Sequence, residues 1–299
     1  MSNTPNNRCG YVSIIGRPNA GKSTLLNRLV GQKLAITSRK PQTTRHSILG
    51  VKTDACGQII YVDTPGIHQR DDHAMNRYLN RTAKTMLHGV DFILFVVDAM
   101  KWTAEDTAVL DLISKTQVPA VLVINKLDQI EDKGAMLPFI KELSERHCFR
   151  DIIPLSAKTG KNVSGLEELV LAAMPEGDNI FPEDQLTDRS ERFFAAELVR
   201  EQLTRRYAKE IPYALTVEIE QFEDAGNMYR IGALVWVERE GQKNIIIGKQ
   251  GEALKAVGTQ ARMEMEKLFE KKVYLSIWVK VKKSWSSDEG ALVRLGYSD

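Results

Sequence analysis

Between residues 10 and about 174, short apolar runs alternate with amphipathic stretches. Residues 11–15, 47–51, 59–62, 92–98, 120–124 and 152–155 read as strands. Residues 22–29, 76–87, 104–115, 134–145 and 165–173 carry apolar positions at helical spacing and read as helices. Runs such as FILFVV and AVLVIN are apolar without alternation, as a sheet covered on both faces requires. Strands alternating with helices predict a three-layer α/β domain around a mostly parallel, six-stranded sheet. The second and third strands flank the turn-like DACG, which predicts one antiparallel hairpin at an edge.

The rhythm changes after residue 175. Residues 175–188 hold Pro175, Gly177 and Pro182 among acidic residues and read as a linker. Beyond it come a long amphipathic helix (189–207), strands at 214–220 and 228–238, and a short loop-and-helix region. A helix at 252–269 and a final strand at 273–282 complete an α-β-β-α-α-β order. The expected division is therefore a nucleotide-type domain over 1–175, a linker over 176–188 and a smaller α+β domain over 189–299.

The first strand runs directly into Gly16-Arg17-Pro18-Asn19-Ala20-Gly21-Lys22-Ser23, the pattern G-x-x-x-x-G-K-[ST], with Thr24 next in the following helix. Backbone N–H groups of such a loop turn inward to hold phosphate oxygens, aided by the positive end of the helix. Lys22 then places its charge at the β- and γ-phosphates, and the Ser23 hydroxyl is suited to Mg²⁺. Asp63-Thr64-Pro65-Gly66 closes the third strand; Asp63 is the expected second magnesium element and Gly66 N–H the expected γ-phosphate sensor. Alone, DTPG is an ordinary turn. Its position after a buried strand gives it meaning.

The base is chosen elsewhere. Asn125-Lys126-Leu127-Asp128 ends the fifth strand. The Asp128 carboxylate can accept from N1–H and the 2-amino group of guanine, whereas adenine offers neither donor. A site built on such a pair rejects the analogue lacking it by roughly 10⁴-fold or more. Asn125 would tie this loop to the phosphate loop, and the Lys126 stem would cover the base. Ser156-Ala157-Lys158 would supply an N–H to guanine O6. These elements predict a GTP/GDP and Mg²⁺ site at the carboxyl edge of the sheet.

The loop Ser38-Arg39-Lys40-Pro41-Gln42-Thr43-Thr44-Arg45-His46 reads as a first switch, with Thr44, or alternatively Thr43, joining the magnesium. After DTPG stands Ile67, where Ras-like proteins carry a water-orienting glutamine. That substitution predicts slow intrinsic hydrolysis. His68 and Arg45 are weaker candidates for water placement and for an arginine finger.

In the second domain, Ile247-Gly248-Lys249-Gln250-Gly251 holds a G-x-x-G between helical segments. Glycines there let the backbone approach a sugar-phosphate chain, Lys249 can neutralise a phosphate, and an adjoining apolar groove would take about four unpaired bases. Lys280, Lys282 and Lys283 are further candidate RNA contacts. Trp278 and Trp285 are candidate stacking residues, Trp278 being equally placed for the core by strand alternation. The alternative is a docking module for protein or membrane in which G-x-x-G is only a turn.

Composition bounds these readings without directing them. The 299 residues carry a net charge of +2, so any RNA site must be a local patch. Three dispersed cysteines suit a reducing cytoplasm, the opening MSNTPNNRCG lacks a signal-peptide-like apolar stretch, and no run is long enough to span a bilayer.

Taken together, PQTTRH, DTPG, NKLD, the segment FPEDQLTDRSERF and VEREGQKNIIIGKQG resemble the bacterial Era family along essentially the whole chain. Ala20 stands where many relatives carry valine. The resemblance implies a Ras-like GTPase domain followed by a type II KH domain. It also implies binding of 16S ribosomal RNA near its 3′ end, action in 30S subunit maturation, a monomer, and peripheral contact with the inner membrane.

Overall fold

The computed structural model describes residues 7–38, 40, 42–67, 74–207 and 211–297. Among these, residues 7–35, 44–67 and 79–188 form one compact unit, and residues 36–43, 74–78 and 189–297 form another.

The first unit is built on strands β1 (Arg8–Ile15), β2 (Ile48–Asp54), β3 (Gly57–Asp63), β4 (Phe92–Asp98), β5 (Ala120–Asn125) and β6 (Asp151–Pro154). The helices are α1 (Lys22–Val30), α2 (Ala74–Thr85, of which residues 79–85 belong to this unit), α3 (Ala104–Ile113), α4 (Met136–Ser144) and α5 (Val163–Ala173). The sheet order is β2-β3-β1-β4-β5-β6, with every pair parallel except β2 and β3. Phe92 through Val97 and Val121 through Ile124 are fully buried, the outcome their unbroken apolar runs demand when helices cover both faces. The strand order reverses at β1, whose neighbours are β3 and β4. That reversal opens a crevice at the carboxyl ends of the strands, the place where such sheets bind ligands.

Residues 175–188 are more than a linker. The Gln58 side chain accepts from the Ile180 and Phe181 N–H groups and donates to the Phe181 carbonyl, each at 2.9 Å. Val51 N–H donates to Leu186 O at 2.8 Å. One buried glutamine and one strand N–H thus hold an acidic, proline-bearing strap along the β2–β3 hairpin.

The second unit follows the expected order with α6 (Glu191–Arg206), β7 (Leu215–Asp224), β8 (Met228–Val237), α7 (Glu240–Ile247), α8 (Glu252–Phe269), β9 (Lys272–Val281) and a short α9 (Glu289–Arg294). Its sheet runs β7-β8-β9, antiparallel then parallel. β7 is longer than the sequence pattern suggests, because a bulge between Ile219 and Gln221 lets pairing continue to Asp224. Ile231, Ala233, Val235 and Val237 of β8 and Val273 and Val279 of β9 pack in one core with α6 and α8 residues such as Leu198, Leu203, Val257 and Met265. The odd-numbered positions of both strands therefore face the helices, leaving the even-numbered positions on the other face.

Trp285, a stacking candidate from sequence, is wholly buried. Its indole N–H donates to Ala214 O at 3.2 Å and its ring stacks on Tyr297. It is a core residue closing the end of the sheet and cannot meet a base.

Candidate nucleotide site and nucleic-acid groove

The phosphate loop is shaped by steric necessity. Gly16 and Gly21 have φ of 158° and 101°, and a Cβ on them would meet Val96 O at 2.2 Å and the Asn125 amide nitrogen at 2.1 Å. Asn19 takes a left-handed φ of 62°, which its short polar side chain tolerates. Ala20 is fully buried, so the small residue at this position packs inward. Gly66 lies against the loop, where an added Cβ would meet Pro18 N at 2.7 Å.

Lys22 is buried, and its ammonium donates to Gly16 O at 2.9 Å and Arg17 O at 3.0 Å. Burial pushes its pKa down to about 8, with the charge of Asp63 opposing the shift. The Ser23 hydroxyl lies 2.7 Å from Thr44 Oγ1 and donates to Asp63 Oδ2 at 2.7 Å. Asp63 is fully buried; that burial pushes its carboxyl up to about 6, against the pull of Lys22 and of bonds from Ser23 and Thr44. Its second oxygen, Oδ1, is buried and accepts no hydrogen bond from the described residues. A buried carboxylate oxygen without a donor is costly. Together with two hydroxyls it makes a hard oxygen set of the kind Mg²⁺ takes, so the residues fit the ion. Thr43 is engaged otherwise: its hydroxyl lies 2.6 Å from Ser38 Oγ and donates to Lys40 O at 2.6 Å.

The base loop is held from several sides. Asn125 donates to Ala20 O at 2.9 Å and accepts from Ala157 N–H at 3.0 Å, joining the first and last nucleotide loops. The Ser156 hydroxyl donates to Asp128 Oδ1. Three supporting residues escaped the sequence reading. Asp98 accepts from Lys126 Nζ at 2.7 Å and from Arg17 at 3.3 Å, and Arg17 also pairs with buried Asp106. Arg28 donates to the Ala157 and Lys158 carbonyls at 3.2 and 2.7 Å, fixing the turn that would face O6. Each meets a loop distant in sequence, and only folding brings it near a motif. Thr24 lies one residue into α1 behind Ser23, half-buried.

Ile67 is 6% exposed and packs with Ile15, Phe95 and Val97 in the apolar core. Arg45 is fully buried. His68 falls outside the described residues.

In the second unit, α7 ends at Gly248 (φ 73°) and α8 begins after Gly251 (φ 80°), with Lys249 and Gln250 exposed between them. A Cβ on Gly248 would meet Ala253 Cβ at 2.5 Å, so this glycine also permits the close approach of α8. Ile247 is half-buried at the end of α7. Beside the loop runs a groove of about 300 Å³ whose floor is Leu254, Gly258, Leu275 and Ile277, with Lys255 and Arg262 at its rim. Leu275 and Ile277 lie on the helix-facing side of β9, whereas Lys280 is at an even position on the opposite face. Lys280 and Lys282 lie over the Trp236 ring at 5.9 and 5.6 Å, and Lys283 is exposed just beyond the strand. The structure brings Gly251, the last residue of the loop, to the groove lining and places Lys280 on the opposite face.

A guanine-selective phosphate-loop site on a Ras-like sheet, followed by a glycine-loop α+β fold, defines a GTPase with a KH domain. Comparison with known proteins agrees. Residues 11–126 match the family model "50S ribosome-binding GTPase" and residues 210–286 match "KH domain". GTPase Era of Azotobacter vinelandii is 56% identical over 98% of this chain and 97% of its own length. GTPase Era of Pseudomonas fluorescens is 55% identical over the whole of both. The chain belongs to the Era family of GTPases. A structure of an Aquifex aeolicus Era variant bound to GDP·AlF4⁻ matches 98% of this chain and all of its own with a TM-score of 0.94 at 39% identity. Another, of Era with MgGDPNP and nucleotides 1506–1542 of 16S ribosomal RNA, matches over the same shares with a TM-score of 0.95. Among the described residues, no helix is long and apolar enough to cross a membrane.

Proposed function

We propose that this protein is a GTP-driven switch that binds 16S ribosomal RNA near its 3′ end and acts in assembly of the small ribosomal subunit. In this reading residues 1–175 carry the nucleotide switch and 189–299 the RNA-binding domain. The observation that carries it is the Asn125 side chain, bonded at once to the phosphate loop and to the Ser156–Lys158 turn. It is supported by the complex of a family member with MgGDPNP and 16S RNA.

GTP phosphates lie in the loop Asn19–Thr24, with the Lys22 ammonium exchanging its carbonyl partners for β- and γ-phosphate oxygens. Ser23, Thr44 and Asp63 would hold Mg²⁺, which would neutralise phosphate charge. Gly66 N–H reads the γ-phosphate, and Asp128 selects guanine while Lys126 covers its face. Hydrolysis is slow, of the order of 10⁻⁴ s⁻¹, since Ile67 is committed to the core and cannot orient water. RNA enters the groove beside Ile247–Gly251, where Lys249 meets a phosphate and the Leu254, Leu275 and Ile277 floor takes unpaired bases.

Calorimetry with GTP and GDP in magnesium, and RNA binding by Gly251→Asp, test the reading together. Nothing lies within 4 Å of an added Cβ, but the φ of 80° strains any residue that has one, so the melting temperature of the variant is measured beside its RNA affinity to separate charge from backbone strain. Loss of RNA affinity with GTP affinity intact is expected. Absence of heat with either nucleotide would overturn the switch; unchanged RNA affinity would overturn the groove.

A further inference from the structure

The second unit has two chemically distinct faces on the same edge strand. The odd positions of β9 serve the helices and the groove. The even positions carry Lys272, Tyr274, Ser276, Trp278 and Lys280, and neither α6 nor α8 covers them. Tyr274 is 60% exposed and Trp278 53% exposed, high values for aromatic residues in the middle of a strand. Trp278 is registered beside Leu234 of β8, which is 1% exposed, and its ring edge reaches toward Gly232, where an added Cβ would stand at an ordinary contact distance of 3.6 Å. Trp236, one register step further along β8, carries Lys280 and Lys282 over its ring.

Charge on this face is zoned. Arg230 of β8 is registered between Tyr274 of β9 and Glu223 of β7, at the boundary of the two zones, and Lys272 and Lys280 bracket the two aromatics on β9. The acids lie on the far strand β7, as Glu218, Glu220 and Glu223. Glu218 accepts from Trp236 and Glu220 pairs with Lys280, so the acidic edge aligns the cation–aromatic row while repelling an anion from β7 itself. Aromatic faces flanked by cations along one strand suit unpaired bases joined by phosphates, since stacking is indifferent to sequence and lysines follow the backbone. A protein partner of apolar character would need a continuous apolar patch; here Lys272, Ser276 and Lys280 interrupt it.

We propose that the open face of the β7-β8-β9 sheet is a second binding surface for single-stranded RNA. Bases stack on Tyr274 and Trp278, and phosphates meet Arg230, Lys272 and Lys280. It rests on the reading that this unit binds RNA, and it extends the path of a strand around edge β9, from the Leu275 and Ile277 side to the Tyr274 and Trp278 side.

The test compares full-length wild type, Tyr274→Ala/Trp278→Ala and Gly251→Asp, using unstructured RNAs of about 6 and about 20 nucleotides, lengths chosen to fill the groove alone or to reach beyond it. Both aromatics are exposed, so the double variant keeps its fold, checked by an unchanged melting temperature. Affinity for the long RNA is expected to fall at least about tenfold in the double variant, a stacked base being worth roughly 5- to 150-fold. Affinity for the short RNA should hold. Trp278→Phe should retain most of the long-RNA affinity, and Lys272→Gln/Lys280→Gln should shallow the salt dependence by about 0.7 per phosphate contact. If the double variant binds long RNA as wild type does while Gly251→Asp binds neither, the second surface is refuted and the groove stands. If the double variant instead loses a protein partner or changes oligomeric state with RNA affinity intact, the face is a protein interface and the proposal fails. Should wild type bind neither RNA, the underlying reading fails first.

Discussion

Asn125 and Ala20 are 105 residues apart in sequence, yet the amide of one donates to the carbonyl of the other at 2.9 Å. The same side chain accepts from Ala157 N–H at 3.0 Å. Its two ends therefore set the distance between the phosphate loop and the base loops, and the glycine at position 21 leaves space for it. Asn125→Ala removes both bonds and strands a buried carbonyl and N–H. At about 1 kcal/mol per bond plus the cost of unpaired groups, affinity for both GTP and GDP should fall by roughly 30- to 150-fold. Calorimetry on the two nucleotides checks it, and an effect confined to GTP would mean that Asn125 acts on the γ-phosphate instead.

Asp128 is oriented by Ser156 at its Oδ1. Asp128→Asn turns one acceptor into a donor, matching the 2-oxo group of xanthine in place of the 2-amino group of guanine. GTP affinity should drop by about 10³-fold or more while XTP becomes the preferred ligand. Competition between GTP, XTP and ATP for a fluorescent nucleotide measures the change. A wild-type protein that accepts ATP as readily as GTP would refute the base assignment outright.

How far these sites could be read in advance depends on how local their chemistry is. The phosphate loop, DTPG and NKLD are contiguous because backbone N–H groups and one or two side chains must converge within a single turn. Each also stands at the end of an apolar strand, so its place in the fold was legible too. Asp98, Arg28 and Asp106 were not, since their partners lie in loops distant in sequence and no spacing records the pairing. The strap over 175–188 looked like a linker because its own residues are polar. What holds it is a buried Gln58 on another strand. Trp278, which the sequence leaves open between stacking and core, needed information of a different kind. Period-2 alternation says that successive residues of β9 face opposite ways, but only the placement of α6 and α8 says which way is in.

That distinction gives a stability prediction. Trp285 is fully buried, bonded to Ala214 O and stacked on Tyr297, whereas Trp278 is half exposed over Gly232. Trp285→Ala should cost about 3–5 kcal/mol, while Trp278→Ala should stay within about 1 kcal/mol, as exposed positions do. Urea unfolding followed by far-UV circular dichroism separates the two. Equal costs would show that Trp278 is covered in solution.

Ile67 occupies the position from which a Ras-like glutamine would orient water, and the obvious gain-of-function variant is Ile67→Gln. The structure predicts that it fails. The side chain packs among Ile15, Phe95 and Val97 and is 6% exposed, so an amide placed there loses apolar burial and finds no partner. The expected cost is about 2–4 kcal/mol from the lost burial and the unpaired polar group. Thermal melting of the variant should therefore drop, and its single-turnover GTP hydrolysis should not rise above wild type. A rate increase of tenfold or more with unchanged melting would mean that residue 67 swings out of the core when GTP is bound. The slow rate would then come from the missing amide alone, and no longer from the commitment of this position to the core.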